Sequence, residues 1–141
     1  QLLDGDNVRA GINNNLGFSE QDRTENIRRI AEVSKLFINC GVITINSFVS
    51  PTEKIRGVAK AIIGQENFIE IFVNTPLEVC ESRDTKGLYA KARKGEVKNF
   101  TGISAPFESP ENPIIVVKTE NQTVEESANF VLALVLPIIK A

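Results

Sequence analysis

Two carboxylates and an arginine follow a short apolar stretch at the start of the sequence, where Leu2 and Leu3 precede Asp4, Asp6 and Arg9. A carboxylate at the tip of a buried strand can hold Mg²⁺ through water or act as a general base beside a phosphate. The same residues also fit an ordinary Asp-Gly turn that has no chemical role. The residue types alone leave both interpretations open.

The next segment of the sequence is rich in arginine. Arg23, Asn26 and Arg29 recur three residues apart near the start of a predicted helix, and Arg28 is adjacent. Guanidinium groups match the oxygen geometry of phosphate and sulfate, and a helix N-terminus adds partial positive charge. This pattern favours an anion-binding face, and the alternative is a solvent-exposed basic face that nearby glutamates neutralise.

A second basic segment spans residues 80–102 and is interrupted by glycines. It contains Arg83 and Lys86, and a mobile basic segment above a strand-end cleft is typical of a lid that clamps phosphates. Phe18 and Phe100 both lie in polar, glycine-flanked sequence, where two aromatic rings can sandwich a flat base. The alternatives are an ordinary exposed loop for the segment and satellite core positions for the two rings.

Strands and helices alternate along the chain, and the strands are continuous apolar runs. That pattern predicts an α/β fold in which helices cover both faces of a mostly parallel sheet. Ser19 is expected to cap the longest internal helix and Gly41 to follow its end. The predicted strands are residues 1–5, 42–49, 68–74 and 114–119, the predicted helices are 20–40, 52–64, 75–84, 88–94 and 123–139, and residues 7–18 are a predicted loop.

Ligands of such folds bind at the carboxyl ends of the parallel strands. Polar residues follow four of the predicted strands, within residues 4–9, 47–50, 74–75 and 118–122. The sequence therefore predicts one edge of the sheet as the site.

Composition excludes several classes of function. The 141 residues carry a net charge of −2, so no bulk field favours nucleic acid or an anionic membrane. The most apolar stretch, residues 130–141, is too short to span a bilayer and contains Pro137, so a packed helix is expected there. The sequence has no histidine, which excludes His-based triads and zinc sites. Cys40 and Cys80 are expected to be buried thiols.

Four long motifs carry a resemblance to a known family. They are LLDGDNVRAGINNNLGFSEQDRTENIRRIAEV, FVSP, FIEIFVNTPLEVCESRDTKGLYAKARKGEVKNFTGI and APFESPENP. Together they closely resemble adenylylsulfate kinase (APS kinase), a P-loop kinase, over essentially the whole chain. The resemblance implies transfer of the γ-phosphate of ATP to the 3′-hydroxyl of adenosine 5′-phosphosulfate (APS), which gives PAPS, with ATP and Mg²⁺ as cofactors.

The resemblance also assigns roles to individual residues. It implies that Asp4 organises Mg²⁺ or acts as the base. It makes Ser50 a second catalytic candidate, because a serine at this position of the family has been described as phosphorylated, although direct in-line transfer needs no such step. Residues implied to bind APS are Asp6, Asn7, Arg9, Phe18, Arg23, Asn26, Val49, Lys86, Asn99 and Phe100, the two aromatic rings stacking on adenine. Residues implied to bind ATP are Arg83, Thr119 and Gln122.

Two features depart from the family pattern. Thr52 stands where members usually have an aromatic residue or histidine, and the sequence contains no G-x-x-G-x-G-K-[ST] phosphate-binding loop. We therefore expect residues 1–141 to be the C-terminal portion of an APS kinase domain, with the N-terminal strand and P-loop missing, and we expect this chain alone to be inactive. A non-catalytic APS- or PAPS-binding regulatory module is the alternative.

The family's sheet implies a strand order. The strand ending at Asp4 and residues 42–49 lie on one side of the P-loop strand, and residues 68–74 and 114–119 lie on the other. Because buried unpaired backbone groups are costly, we expect the position between the two pairs to be filled, by a further segment, a second chain or a pairing of residues 1–5 with 68–74. The resemblance further implies a cytoplasmic homodimer, with association or fusion with a sulfate adenylyltransferase as an option, and no nucleic-acid or membrane partner.

Overall fold

A computed structural model describes residues 1–140, and the chain divides into two compact units. Unit 1 comprises Gln1–Phe68 together with Pro106–Glu108, and unit 2 comprises residues 69–105 and those from Ser109 onward. Each unit holds one pair of strands. In chain order the elements are β1 (Leu2–Asp4), α1 (Gly5–Ala10), α2 (Glu20–Asn39), β2 (Ile45–Ser47), α3 (Glu53–Ile63), β3 (Ile71–Asn74), α4 (Leu77–Ser82), α5 (Leu88–Arg93), β4 (Ile115–Lys118) and α6 (Val124–Ile139).

Unit 1 is built on β1 and β2, which pair in parallel with Asp4 opposite Ser47. The apolar residues Leu3, Val8 and Ile30 come from β1, α1 and α2 and form one buried cluster. Burying these side chains fixes α2 against the strand pair, since apolar burial is the main favourable term in folding. The two strands therefore end side by side, and the polar segments that follow them start from adjacent positions.

Unit 2 is built on β3 and β4, which also pair in parallel, with Asn74 opposite Lys118. Ile115 and Val117 are buried while the residues that alternate with them are exposed. This period of two is expected for a strand that is covered on one face, and α6 packs against β4. Parallel pairing of both strand pairs confirms the predicted α/β class and the two predicted pairs.

Helix boundaries follow the sequence signals closely. Ser19 Oγ accepts the N–H of Asp22 at 3.1 Å and caps α2 as predicted. Gly41, just past the end of α2, has a φ of 74°, a conformation in which glycine has no steric penalty. In unit 2, α5 confirms the helix predicted at 88–94. The last helix α6 continues through Pro137, which lies in its final turn and has no N–H to donate to the carbonyl oxygen of Ala133.

Several predictions about the strands and loops are wrong. The strands predicted at 42–49 and 68–74 are reduced to Ile45–Ser47 and Ile71–Asn74, and both are mostly exposed instead of buried. They are covered less than expected because each belongs to a sheet of only two strands. Residues 7–10 are helical because α1 starts directly after β1. Cys40 is exposed and only Cys80 is partly buried, since Cys40 lies beyond the last turn of α2.

The pairing of residues 1–5 with 68–74, one of the expected options, does not form. Within the described residues, β1 pairs only with β2 and β3 only with β4, so β2 and β3 each use one edge. The expected energetic penalty applies to buried groups. All three residues of β2 and three of the four in β3 are exposed, so water can satisfy their backbone groups.

We predict that Ser19→Ala lowers the free energy of unfolding by about 1 kcal/mol, because the N–H of Asp22 loses its side-chain acceptor. Chemical denaturation monitored by circular dichroism measures this change. Ser19→Asn should retain most of the stability, because asparagine is a good N-cap residue. Ser109→Ala, at an exposed serine that caps no helix, is the matched control, and an equal loss in both alanine variants would contradict the capping role.

Candidate active site

Asp4 ends β1 and also starts the next helix. Its Oδ1 accepts the backbone N–H groups of Asp6 at 3.0 Å and Asn7 at 3.4 Å, so the carboxylate is the N-cap of α1. The side chain is partly exposed, and its Oδ2 makes no hydrogen bond within residues 1–140. Asp4 therefore combines a capping role with one oxygen open to a ligand. Asp6 and Asn7 are both exposed on α1.

Arg9, Phe18 and Arg23 form a compact cluster in the same unit. The guanidinium carbon of Arg9 lies 4.5 Å from the centre of the Phe18 ring, and that of Arg23 lies 5.6 Å from it. The ring is 57% exposed, which excludes the core position considered for Phe18. Burial lowers the pKa of Arg23, and the nearby positive charge of Arg9 lowers that pKa further. Two like charges beside an exposed ring favour a planar or anionic ligand.

Backbone contacts hold the two arginines in this cluster. Arg9 Nη1 donates to the carbonyl oxygens of Leu16 at 3.1 Å and Gly17 at 3.0 Å. Arg23 Nε donates to the carbonyl oxygen of Phe18 at 3.1 Å. Because both guanidinium groups are anchored to the loop before α2, the loop fixes the positions of the charges and of the ring together.

Asn26 is placed differently from the other predicted ligands. It is only 5% exposed, and its Oδ1 accepts Asn13 Nδ2 at 3.0 Å. Asn13 is fully buried and was not singled out in the sequence. Nothing marks one asparagine among Asn13, Asn14 and Asn15 as buried, so only the folded loop identifies it. Asn26 thus supports the loop that carries Phe18.

Arg28 and Arg29 of α2 both form ion pairs with the same carboxylate, that of Glu25. Glu25 contacts Arg28 Nε at 2.7 Å and Arg29 Nε at 2.8 Å. These hydrogen bonds, first that of Arg28 and then that of Arg29, lower the pKa of Glu25 to about 2. Arg29 also donates through Nη1 to Asn15 Oδ1 at 2.9 Å. For these two arginines the balanced charged face is the correct interpretation, and the anion-binding one is wrong.

The turn after β2 contains the next predicted residues. Val49 is 61% exposed, and Ser50 has a φ of 40°, in the left-handed region that residues other than glycine rarely adopt. The carbonyl oxygen of Ser50 accepts Arg56 Nη1 at 3.0 Å, and Arg56 is buried. Arg56, in the first turn of α3, was not among the predicted site residues, and only the folded turn brings it to Ser50.

In unit 2, Arg83 and Thr119 are brought together at the end of β4. Arg83 donates Nη1 to Thr119 Oγ1 at 3.1 Å and Nη2 to the Thr119 carbonyl oxygen at 2.7 Å. Thr75 Oγ1, which follows β3, lies 2.5 Å from Thr119 Oγ1. Gln122 is further along the exposed loop, where its Oε1 accepts Ser127 Oγ at 3.1 Å. Thr75 belongs to the polar pair that follows the third predicted strand, but no individual role was predicted for it.

Residues of the predicted lid in unit 2 line an open cavity of about 160 Å³. Its lining includes three predicted site residues, Arg83, Lys86 and Phe100. Phe100 packs edge-on against Tyr89, with ring centres 5.0 Å apart, so it is less exposed than Phe18. Burial raises the pKa of Tyr89, and the neighbouring Cys80 thiol adds to the effect.

Asp84 orders the start of helix α5 in the lid. Its Oδ2 accepts the N–H of Ala90 at 3.0 Å. Burial acts to raise the pKa of Asp84, but the backbone N–H groups at the start of α5 outweigh it, so the pKa is lowered. Asn99, with a φ of 55°, lies in the exposed turn before Phe100.

Two features are absent from residues 1–140. Those residues contain no group of three or more His, Cys, Asp or Glu side chains that could hold a metal ion. No helix in that range has the length and apolar character needed to cross a membrane. A larger surface groove, about 540 Å³, runs past Glu20, Thr24 and Lys54 and contains none of the predicted site residues.

Comparison with known proteins identifies the family. The profile of the family "Adenylylsulphate kinase" matches residues 1–118. An adenylyl-sulfate kinase of Bacteroides thetaiotaomicron is 64% identical over 140 residues, which are 99% of this chain and 70% of that protein. An adenylyl-sulfate kinase of Bacteroides fragilis is 65% identical over 137 residues, 97% of this chain and 68% of that protein. The chain belongs to the adenylylsulfate kinase family.

A solved structure agrees with this membership. The APS kinase of Mycobacterium tuberculosis, solved in complex with AMPPNP and APS, superposes with a TM-score of 0.91 at 42% identity, over 96% of this chain and 79% of that one. The fold is therefore that of a P-loop APS kinase, and the enzyme phosphorylates APS to PAPS with ATP as donor. These three relatives are all kinases, which favours the enzyme over the alternative of a non-catalytic binding module.

The pairing of Glu25 makes the kinase sensitive to acid in a defined range. Because the folded-state pKa is about 2 against an ordinary value of 4.5, ionised Glu25 stabilises the fold above about pH 4.5. That contribution is lost as the pH falls through about 2. We predict that Glu25→Gln lowers the melting temperature at about pH 6 and that its difference from the wild type disappears near pH 2. Glu32→Gln, whose partner Arg28 lies at 3.7 Å, is the control and should show a smaller difference at every pH.

Proposed function

We propose that unit 1 of this APS kinase binds the acceptor APS through the cluster of Arg9, Phe18 and Arg23. The observation that carries the proposal is the exposed Phe18 ring with a guanidinium carbon 4.5 Å and another 5.6 Å from its centre. An exposed ring provides a face for the adenine of APS, and the two guanidinium groups provide charge for its phosphosulfate. The APS-bound relative from Mycobacterium tuberculosis supports APS as the ligand.

The other residues of unit 1 contribute at three places. Asp6 and Asn7 present polar groups from α1, and Val49 and Ser50 present the turn after β2. All four belong to segments that follow the carboxyl ends of the paired strands, where ligands of parallel sheets bind. Asn26 acts through its bond to Asn13, by which it keeps the loop before α2 in place. Its contribution to APS binding is therefore one of positioning.

Asp4 is proposed as the residue that prepares the acceptor hydroxyl and as the protein's carboxylate for Mg²⁺. One oxygen caps α1 and the other is open, which fits a hard cation held by one carboxylate and by substrate phosphates. A cage made only of protein ligands is excluded for residues 1–140 by the absence of any larger acidic group. Bound Mg²⁺ would neutralise charge on the phosphates. Asp4 itself would accept the proton of the attacking hydroxyl.

Unit 2 is proposed to bind ATP through Arg83, Thr119 and Gln122. The bonds of Arg83 to Thr119 fix an exposed guanidinium beside the loop that follows β4. Lys86, Asn99 and Phe100 are proposed to contact APS from the lid. Lys86 and Phe100 line the same cavity as Arg83, which supports a joint role. Such residues accelerate phosphoryl transfer by holding the reacting oxygens in line and by neutralising charge.

Several wider properties are also proposed on the family resemblance. They are a cytoplasmic homodimer, association or fusion with a sulfate adenylyltransferase, a domain portion spanning residues 1–141, and a catalytic role for Ser50. Analytical ultracentrifugation of the purified protein tests the first of these, since a dimer doubles the sedimenting mass.

We predict that Arg23→Ala weakens APS binding by about 1.5–3 kcal/mol, the range for a charge-assisted hydrogen bond. ATP binding should change much less, because Arg23 belongs to unit 1. Isothermal titration calorimetry with each ligand, made on the complete kinase with its phosphate-binding loop, measures both values. Arg28→Ala, on the same helix but paired with Glu25, is the control and should leave APS binding unchanged. Equal losses for APS and ATP would show that Arg23 supports structure and does not recognise APS.

We predict that Asp4→Asn lowers kcat by on the order of 10²–10⁴-fold, as expected for loss of a general base. Asparagine retains an oxygen that can accept the N–H groups of Asp6 and Asn7, so the cap and the melting temperature should be preserved. Steady-state assays at saturating APS and ATP, made on an active kinase in which these residues follow a segment with the family's phosphate-binding loop, separate the two roles when thermal unfolding is measured in parallel. A kcat within a few-fold of the wild type would leave Asp4 only its capping role.

A further inference from the structure

The backbone at Ser50 adopts a conformation that its own sequence does not favour. Its φ of 40° lies in the left-handed region, where the side chain of any residue but glycine is strained. Such conformations persist only where the surroundings impose them, and they occur often at functional sites. The contacts around Ser50 should therefore show which residues impose the turn.

Arg56 supplies the first of these contacts. It lies in α3 and is only 8% exposed. Its Nη1 donates to the carbonyl oxygen of Ser50 at 3.0 Å, and its Nη2 donates to Glu53 Oε2 at 2.8 Å. Since Thr52 already caps α3 through the N–H of Ile55 at 3.4 Å, the start of the helix does not require Arg56. The buried guanidinium is directed at the turn instead.

Glu108 supplies the second contact from a distant part of the sequence. Its backbone N–H donates to the carbonyl oxygen of Pro51 at 2.8 Å, and its Oε2 accepts the backbone N–H of Glu53 at 2.7 Å. Arg56 and Glu108 therefore hold successive groups of residues 50–53 with four hydrogen bonds, all of them inside unit 1. Three of the four involve an ionised side chain, which makes them stronger than neutral bonds.

We propose that Arg56 and Glu108 are positioning residues of the APS kinase reaction, which hold the strained Ser50 turn in the conformation that contacts APS. The inference rests on the proposed contact between APS and Val49–Ser50. Neither residue needs to touch a substrate. Each fixes backbone groups of the turn, so that the exposed Val49 side chain and the Ser50 hydroxyl stay at fixed positions when the acceptor arrives. Losing either residue lets Ser50 relax to a negative φ and displaces both groups.

The first test compares Michaelis constants for the two substrates, measured in an active kinase in which these residues follow a segment that carries the family's phosphate-binding loop. Arg56→Met and Glu108→Ala should each raise KM for APS by about tenfold or more, the order for a lost charge-assisted bond, while KM for ATP changes less than about twofold. Arg56→Lys keeps the positive charge but loses the planar, forked guanidinium, so its KM for APS should lie between those of Arg56→Met and the wild type. Arg28→Met removes an exposed, paired arginine of the same unit and should leave both constants unchanged. Equal changes in both Michaelis constants for Arg56→Met and Glu108→Ala would overturn the proposal.

The second test uses glycine at position 50. Glycine adopts a φ of 40° without a steric penalty, so Ser50→Gly removes the strain that Arg56 and Glu108 oppose. The loss of APS affinity on Arg56→Met, measured by titration calorimetry, should be smaller in the Ser50→Gly background than in the wild type. A purely structural Arg56 would give the same loss in both backgrounds, and that result would overturn the proposal. If Arg56→Met does not fold, Arg56→Lys and Glu108→Ala carry the same comparison.

A third variant distinguishes failure of this inference from failure of the proposed APS contact. Val49→Asp places a negative charge on an exposed position of the turn and should raise KM for APS through repulsion of the phosphosulfate. If Val49→Asp raises that KM but Arg56→Met does not, only the positioning role is wrong. If neither variant changes KM for APS, the turn does not contact APS and both proposals fail.

Discussion

Charged side chains form hydrogen bonds with backbone groups just after three of the strands, β1, β2 and β4. The candidate site depends on these bonds. The carboxylate of Asp4 accepts two N–H groups after β1. Arg56 donates to the Ser50 carbonyl oxygen after β2, and Arg83 donates to that of Thr119 after β4. A backbone group forms a stronger hydrogen bond with an ionised partner than with a neutral one. Charged side chains thus hold the backbone that follows these strands. A protein that binds phosphate also needs charged side chains at this edge of its sheet.

With such bonds, a single arginine can stabilise the fold and still have N–H donors for a ligand. A guanidinium has five N–H donors in a planar fork, and Arg9 uses only Nη1 for the carbonyl oxygens of Leu16 and Gly17. The remaining donors of Arg9 keep a fixed direction because the bound ones cannot rotate away. A lysine in the same place would give a charge without that direction. Preorganised donors of this kind are more effective than mobile ones, since little reorganisation is needed when charge develops on the phosphates.

The parts of the fold that depend on local signals could be predicted from the sequence, because capping residues marked helix ends and apolar, β-branched runs marked the strands. The pairing of those strands was implied by the family resemblance. Local signals did not predict the surroundings of a side chain where these depend on a contact with a residue distant in sequence. The stripe that Asn26 shares with Arg23 did not indicate that Asn26 is buried and accepts a hydrogen bond from Asn13 of the preceding loop. Arg56 and Glu108 were missed because they lie far apart in the sequence and neither belongs to a recognisable phosphate motif. Strand lengths were overestimated because apolar composition does not reveal how many strands a sheet has.

The cluster of Arg9, Phe18 and Arg23 holds two positive charges close together, and this has an electrostatic consequence. Holding Arg9 and Arg23 against one ring brings like charges together, and the lowered pKa of Arg23 reflects burial together with that repulsion. The backbone carbonyl groups of Leu16, Gly17 and Phe18 accept hydrogen bonds from the two guanidinium groups and offset part of the repulsion. A bound anion would offset it with a full charge. The positive charge that Arg9 and Arg23 bring to the Phe18 ring is therefore the charge on which the proposed contact with phosphosulfate depends.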